Sequence, residues 1–233
     1  MFFLTQFVRQ ALYLIRFLNK SQQRFYIGGK MYVTGREITA HNGRLPNAIA
    51  LASGMTAAMN EQYGSSFAVS TEIGGSLNKL WISGFWQTLD EYQSFVDAYT
   101  NDPKFQVAMG TVDSVLSDAQ DQIGMLLRAP GERKEFASMN TGRVKSTHLA
   151  QGIEFALSAA ELCSSITGTE LGLAVPVTGD RFEINFIAYA DSLQGLRDND
   201  EQLGANEEYQ TMFADSQEMF ENQYATRFLR FVS

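Results

Sequence analysis

Two arginines and two histidines are the residues whose types and spacing could support catalysis. Arg36 precedes His41 by the same interval that separates Arg143 from His148, and a Thr-Gly pair comes before each arginine. A histidine can accept a proton near neutral pH, and an arginine inside a sheet requires a carboxylate or an anionic ligand. These four are therefore the candidate catalytic residues. The alternative, that they are solvated polar residues at strand ends, stays open.

Two alignments of these passages compete. The arginine and histidine passages repeat at an offset of 107 residues, which requires three additional residues in the Asn42-Gly43 turn. An offset of 104 instead places His148 opposite Arg44. Glu72 and Glu183 are the expected carboxylate partners of the two arginines. The offset of 104 predicts a tandem repeat, and its markers are the pairs Gly64 and Gly168, Gly75 and Gly179, Leu89 and Leu193, and Phe105 and Tyr209.

The sequence gives little support to a metal site or to catalysis by a nucleophilic cysteine. The single cysteine, Cys163, is expected to be a small buried hydrophobe, because its counterpart at an offset of 104 is Met59. Two histidines and one cysteine are too few soft ligands for a structural zinc site. Gly74-Gly75 is typical of a hairpin turn, since no Gly-Lys-Ser/Thr follows it. We therefore expect no metal and no cofactor.

The elements that must position these residues are clearest between Leu80 and Phe105. Leu80 to Trp86 is apolar and aromatic, as in a strand covered on at least one face. Thr88 is the expected N-cap of a helix, with Glu91 completing a capping box. Pro103 ends that helix, because it lacks an amide hydrogen and disfavours helix at the residue before it.

The remaining segments extend this pattern to the order β-α-β-β-α-β, twice. Within the stretch from Gln106 to Leu127, we predict a helix followed by a closing strand at 123–127. This order is the split unit of the ferredoxin-like fold, with both helices on one face of an antiparallel sheet. Two tandem copies can cover each other's bare sheet faces, which predicts a single-chain pseudo-dimer. The predicted ranges are 30–128 and 135–233 for the two repeats and 129–134 for the linker.

Aromatic residues are expected to line the shared interior and to bind a ligand there. The strands around the two predicted hairpins carry most of them, and a pocket between such walls suits a small apolar molecule. The candidates for ligand binding are Trp81, Phe85, Phe186 and Tyr189, with Trp86 and Phe182 in the same interior.

Residues 1–29 form a separate basic element. Residues 1–30 contain five Lys or Arg and no acid, so they carry a charge of +5. The rest of the chain carries −13, which gives the overall net charge of −8. Apolar residues at helical spacing predict an amphipathic helix, interrupted too often by arginine to cross a membrane. One interpretation docks this helix on the repeats or on a second subunit of a homo-oligomer. The other places it on an anionic membrane surface, and the contact residues in either case are Phe3, Phe7, Arg9 and Arg16.

The acidic body argues against nucleic-acid binding, which needs a dense basic face. One cysteine excludes an internal disulfide and suits a reducing compartment, so we expect a cytoplasmic protein, with peripheral membrane contact as the alternative.

Three short motifs resemble the dimeric α+β barrel superfamily, and within it the NIPSNAP-like and stress-responsive barrel groups. The motifs are Phe85-Trp86, Thr88-Leu89-Asp90-Glu91-Tyr92 and Asn101-Asp102-Pro103-Lys104-Phe105. The resemblance is weaker over residues 135–231, where Glu207 replaces Pro103. It implies a pseudo-dimeric α+β barrel whose members include cofactor-free monooxygenases, haem-degrading enzymes and proteins of no known activity. The departure in the second repeat implies that any pocket is not symmetric.

Three functions follow as hypotheses. The first is a barrel protein that binds a small apolar ligand or a protein partner without catalysis. The second is a cofactor-independent monooxygenase, with Arg36, His41, Arg143 or His148 polarising the substrate. The third is a peripheral membrane or scaffold protein anchored by residues 1–20.

Overall fold

The computed structural model describes residues 31–232. The predicted amino-terminal helix, with its contact residues Phe3, Phe7, Arg9 and Arg16, lies outside the described residues, so its docking on the body, a partner or a membrane stays a prediction. None of the helices in the described part of the chain is long and apolar enough to cross a membrane.

The described chain contains eight strands and six α-helices. The first half, residues 31–128, and the second half, residues 136–231, have the same element order. The strands are β1 (Met31–Ala40), β2 (Ala68–Ile73), β3 (Lys79–Trp86), β4 (Leu116–Arg128), β5 (Phe136–Val144), β6 (Gly172–Pro176), β7 (Glu183–Ala190) and β8 (Phe220–Phe231). The helices are α1 (Leu45–Tyr63), α2 (Leu89–Thr100), α3 (Pro103–Met109), α4 (Leu149–Thr167), α5 (Leu193–Gly204) and α6 (Glu207–Met219).

The eight strands close into one antiparallel barrel in the order β1-β3-β2-β8-β5-β7-β6-β4. Each half contributes four adjacent strands. Two seams join the halves: β2 pairs with β8, and β4 pairs with β6. The two sheets face each other across the interior, as expected, but they are also bonded edge to edge, which sheet-on-sheet packing alone did not predict. This closure removes the free strand edges that an isolated half would expose.

Local signals account for the helix ends. Thr88 Oγ1 accepts a hydrogen bond from the Glu91 amide (3.1 Å), which confirms the predicted N-cap. The Glu91 carboxylate reaches back to the Gln87 amide (2.8 Å). Both long helices end at a glycine with positive φ, Gly64 and Gly168, because a left-handed C-cap is least strained without a Cβ atom.

One prediction about the end of the first half was wrong, and another was confirmed but incomplete. β4 begins at Leu116 rather than at Ile123, since it pairs with β1 from Leu116 to Leu126 and this pairing outweighs the polar composition of residues 117–122. Pro103 ends one helix but also begins α3, where its missing amide hydrogen costs nothing.

The helices cover the outer face of the barrel. Apolar residues of β1, β2 and β3 pack against α1 in the first half, and those of β5, β6 and β7 pack against α4 in the second. A third cluster lies inside the barrel and contains Trp81, Ala137, Tyr189 and Leu229. The barrel wall therefore separates two kinds of interior space, one inside it and one beneath the helices.

Candidate ligand-binding site

Strand register decides whether the segments that contain Arg36 and Arg143 align at an offset of 104 or of 107 residues. Thr39 pairs with Lys79 between β1 and β3, and Arg143 pairs with Glu183 between β5 and β7. Thr39 is thus the counterpart of Arg143, which agrees with the offset of 104 and rules out the offset of 107. Because side chains alternate along a strand, Arg36 and Arg143 face opposite sides of the barrel wall.

Arg36 faces the helices and binds a carboxylate that the sequence analysis did not identify. Its Nε and Nη2 atoms lie 2.6 Å and 2.7 Å from the Asp121 carboxylate oxygens. This hydrogen-bonded pair raises the pKa of the Arg36 guanidinium. The expected partner Glu72 was wrong, since β1 pairs directly with β4 and places Asp121 opposite Arg36.

Arg143 lies near one end of the barrel. Its guanidinium contacts Asp180 (3.1 Å) and Glu221 (3.4 Å) and lies over the ring of Phe182 (5.3 Å). The expected partner Glu183 was also wrong: it is opposite Arg143 in the strand ladder, but the ion pairs go to the adjacent turn and to β8.

The two histidines lie in different halves and outside the large cavities. His41 Nε2 is 3.2 Å from the Asp113 carbonyl oxygen, and His148 Nδ1 is 2.8 Å from Thr147 Oγ1 at the start of α4. The structure therefore does not bring the four candidate catalytic residues together in one site.

The four candidate aromatic residues divide between two spaces. Trp81, Phe85 and Tyr189 line a cavity of about 340 Å³ inside the barrel. Phe186 lines a different cavity, beneath the helices. The reason is strand alternation, since Phe186 and Tyr189 are separated by an odd number of positions on β7. Trp86 faces outward for the same reason.

The cavity beneath the helices of the second half has a volume of about 380 Å³. Its floor is the outer face of β5, β7 and β8, and its walls come from α4, α5 and α6. The sequence analysis identified one of its residues, Phe186. Its other apolar lining residues include Phe155, Leu171, Leu196, Leu203, Met212 and Phe213.

Aromatic rings fill the equivalent space of the first half. Phe95 is at the centre, with ring centroids 5.0 Å from Trp86, 5.1 Å from Phe67 and 4.9 Å from Tyr99. The chain of rings continues from Tyr99 to Phe105 (4.5 Å). Only about 60 Å³ remains open there.

Smaller residues at equivalent positions explain why the second half is hollow. Each of the largest residues of the ring chain has a smaller counterpart 104 positions later. The pairs are Phe95 and Asn199, Trp86 and Ala190, Tyr99 and Leu203, Tyr92 and Leu196, Phe67 and Leu171, and Tyr63 and Thr167. The repeat offset contained this signal, which the sequence analysis missed because it compared residues of like type.

A few polar groups interrupt the apolar lining. Asn199 Nδ2 donates to Thr169 Oγ1 (3.2 Å), and Ser216 Oγ lies 3.2 Å from Tyr224 Oη. Burial raises the pKa of the Tyr209 phenol, and burial raises the pKa of the Cys163 thiol to about 11. Both groups are therefore neutral at physiological pH.

Two aromatic side chains mark the mouth of this cavity. Phe213 and Tyr224 line the cavity, yet they are 46% and 48% exposed, and their ring centroids are 5.7 Å apart. Their rings are in contact with each other and form a small apolar patch at the surface beside the cavity.

Solved structures share this fold at very low sequence identity. A candidate monooxygenase from Fusobacterium nucleatum subsp. nucleatum superposes with a TM-score of 0.66 at 7% identity, covering 89% of this chain and 94% of that chain. One from Lactobacillus acidophilus gives 0.66 at 9% identity, covering 88% and 95%. An anthrone oxidase-like protein gives 0.62 at 8% identity, covering 89% and 93%.

No family model matches the sequence, and no curated protein matches it. The chain has the fold of the dimeric α+β barrel proteins, with the eight strands of the barrel supplied by one polypeptide. A shared fold leaves the function open, because function depends on the site.

Proposed function

We propose that the protein binds a small, mostly apolar molecule in the cavity beneath α4, α5 and α6. The observation that carries this proposal is the contrast between the halves. Aromatic rings fill the first half, whereas the counterpart positions in the second half enclose about 380 Å³. Interiors normally pack densely, and leaving such a volume empty is destabilising. A hollow of this size at one of two equivalent positions supports a binding role.

The lining indicates the class of ligand. Apolar and aromatic side chains dominate it, and the volume lies within the range of small-molecule pockets. Arg36 and Asp121, the ion pair beneath the helices of the first half, have Asn140 and Ala225 as counterparts, so the second cavity lacks that pair of charges. Asn199 and Tyr209 supply hydrogen-bonding groups. An uncharged ring system with one or two polar substituents fits this chemistry.

Oxidation of such a molecule is the second candidate function. Proteins of the same fold are described as candidate monooxygenases and as anthrone oxidase-like, which supports this alternative without deciding it. Arg36, His41, Arg143 and His148 do not line this cavity, so polarisation of a substrate here would come from Asn199, Asp200 or Tyr209. Oxygen consumption in the presence of a bound phenol separates catalysis from simple binding.

The lining offers no histidine to hold haem. Iron in haem takes histidine, cysteine thiolate, tyrosinate or methionine paired with histidine. Within residues 31–232, the lining of this cavity contains no histidine, and burial raises the pKa of the Cys163 thiol and of the Tyr209 phenol, which disfavours their anionic forms. The proposed function rests on the apolar lining and invokes no haem chemistry.

Filling the cavity tests the proposal. The neutral fluorophore N-phenyl-1-naphthylamine is titrated into the full chain and into an Asn199→Phe variant, which restores the ring found at Phe95. We expect the dissociation constant to rise at least tenfold, roughly the loss when a ring occupies the ligand's place. Gln202→Phe, which adds the same ring at an exposed position of α5, is the matched control.

Cys163 provides an independent reporter, because it is the one cysteine of the chain and lines the cavity. Bound fluorophore should slow its alkylation in the wild type and not in Asn199→Phe. The proposal would be contradicted if wild type and Asn199→Phe bound the fluorophore with equal affinity. Circular dichroism verifies that Asn199→Phe and Gln202→Phe are folded.

A further inference from the structure

We propose that the barrel interior is a second binding site, separate from the cavity beneath the helices, and that it takes a small monocarboxylate with an aromatic body. Arg227 supplies the cation, and the walls supply apolar surface. The cavity measures about 340 Å³ and is enclosed by the strands themselves. Its aromatic lining residues are Trp81, Phe85, Tyr189 and Phe231.

Two buried donors face this cavity without a protein partner. Trp81 and Tyr189 are 9% and 7% exposed, and neither side chain has a hydrogen-bond partner among residues 31–232. Buried indole N–H and phenol O–H groups normally have one. No fully inaccessible side-chain nitrogen or oxygen in the described chain lacks a partner. The two donors therefore open onto the cavity and are available to a ligand.

Arg227 adds a positive charge at the same place. It lines the cavity from β8, two positions before Leu229, which packs with Trp81 and Tyr189 in one cluster. Arg227 is half-buried and forms no ion pair within the described residues. A guanidinium that is partly shielded from water and has no carboxylate partner can take an anion, so the position of Arg227 favours an anionic ligand.

The other charges of the cavity wall are mostly compensated. Glu37 pairs with Lys79, and Arg143 pairs with Asp180 and Glu221. Glu183 is the carboxylate of this wall that lacks an ion pair among the described residues, and it lies at the opposite end of β7 from Tyr189. A negative mouth and a positive middle would orient a ligand with its carboxylate toward Arg227.

This arrangement narrows the ligand class. Three donors, namely a guanidinium, an indole N–H and a phenol O–H, suit an anionic acceptor, and hydrogen bonds between charged groups are the strong ones. The aromatic walls suit a flat apolar body. A second negative charge on the ligand would approach Glu183 and be repelled, which selects a monoanion.

The test uses phenylacetate and its neutral analogue phenylacetamide on the full chain. The protein has two tryptophans, Trp81 in the barrel and Trp86 beneath the helices, where its Nε1 donates to Thr34 Oγ1 (2.9 Å). We expect phenylacetate to shift the indole ¹H–¹⁵N signal of Trp81 saturably and to leave the signal of Trp86 unmoved. Phenylacetamide should bind at least tenfold more weakly, since it lacks the charge.

Variants assign the effect to named residues. Arg227→Gln should weaken phenylacetate binding at least tenfold and change phenylacetamide binding little. Glu183→Gln should strengthen phenylacetate binding several-fold, because it removes a like charge. Asn199→Phe should change neither, since it fills the other cavity.

Two results would overturn this inference. One is a Trp81 signal that phenylacetate does not move, which means that water alone satisfies the donors. The other is equal affinity of the wild type for the acid and the amide, which needs no variant. The unmoved Trp86 signal of Arg227→Gln verifies that this variant remains folded.

Discussion

Phe95 and Asn199 occupy the same position of equivalent helices, α2 and α5, but Phe95 is packed among aromatic rings and Asn199 borders a cavity. This one relationship summarises how the halves differ. The shared arrangement of strands and helices is solid in one half and hollow in the other, and smaller side chains contribute to the difference. The wall helix α6 (13 residues) is also longer than its counterpart α3 (7 residues).

Truncating these two residues should have unequal consequences. Phe95→Ala removes a 7% exposed ring and should lower the free energy of unfolding by about 3–5 kcal/mol. Asn199→Ala removes one hydrogen bond beside open space and should cost less than about 1 kcal/mol. Guanidinium chloride unfolding measures both. Similar losses would mean that the second cavity is closed in solution.

Alkylation of Cys163 should depend steeply on pH. Burial raises the pKa of this thiol to about 11, and only the thiolate reacts. The rate with iodoacetamide should therefore rise about tenfold per pH unit from pH 7 to 10 without a plateau. A plateau near pH 9 would show an exposed thiol, and tryptophan fluorescence verifies that the protein stays folded.

Asp102 should make stability depend on pH in the acid range. Its carboxylate accepts hydrogen bonds from the Lys104 amide (2.8 Å), Tyr63 Oη (2.9 Å) and Gln62 Nε2 (2.8 Å), which lower its pKa below the ordinary 3.8. A carboxylate with a depressed pKa stabilises the fold above the unfolded pKa and loses this contribution as pH falls through the folded pKa.

Asp102→Asn, which keeps an N-cap side chain, should therefore be less stable than wild type at pH 7 and approach it below pH 3.8. Urea unfolding at a series of pH values measures the difference. Asp97→Asn, on the exposed face of α2, is the control. A difference that is constant down to the acid limit would exclude the charge as its cause.

The ion pair of Arg36 and Asp121 should contribute modestly to the free energy of unfolding. Both bonds are short, but the side chains are 33% and 48% exposed, so solvent screens the charges. A double-mutant cycle with Arg36→Met and Asp121→Asn should give a coupling energy of about 0.5–1 kcal/mol. The coupling energy should be smaller in about 1 M salt than in about 0.05 M salt, because salt screens the two charges. Coupling that does not depend on salt would contradict this.

Features set by nearby residues could be predicted from the sequence. The cap at Thr88, the stop at Gly64 and the hairpin strands all depend on residues within a few positions, and the structure confirms them. The two βαββαβ halves followed from the same local signals. Whether they derive from one duplicated sequence stays a prediction.

Features set by distant pairing could not be predicted. β4 is polar over its first half and is a strand because β1 lies beside it. The carboxylate partners of Arg36 and Arg143 depended on which strands are neighbours, and both predicted partners were wrong. The placement of Phe186 and Tyr189 in different cavities could have been predicted, because strand alternation alone puts them on opposite faces of the sheet.

The two seams, β2 with β8 and β4 with β6, have a consequence for how such a molecule can change over time. In an assembly of two identical polypeptides, every substitution appears twice, so a hollow opened in one copy opens in both. Here one polypeptide supplies both lobes of a continuous wall. One lobe can remain solid and anchor the molecule while the other exchanges bulky rings for small side chains and acquires specificity.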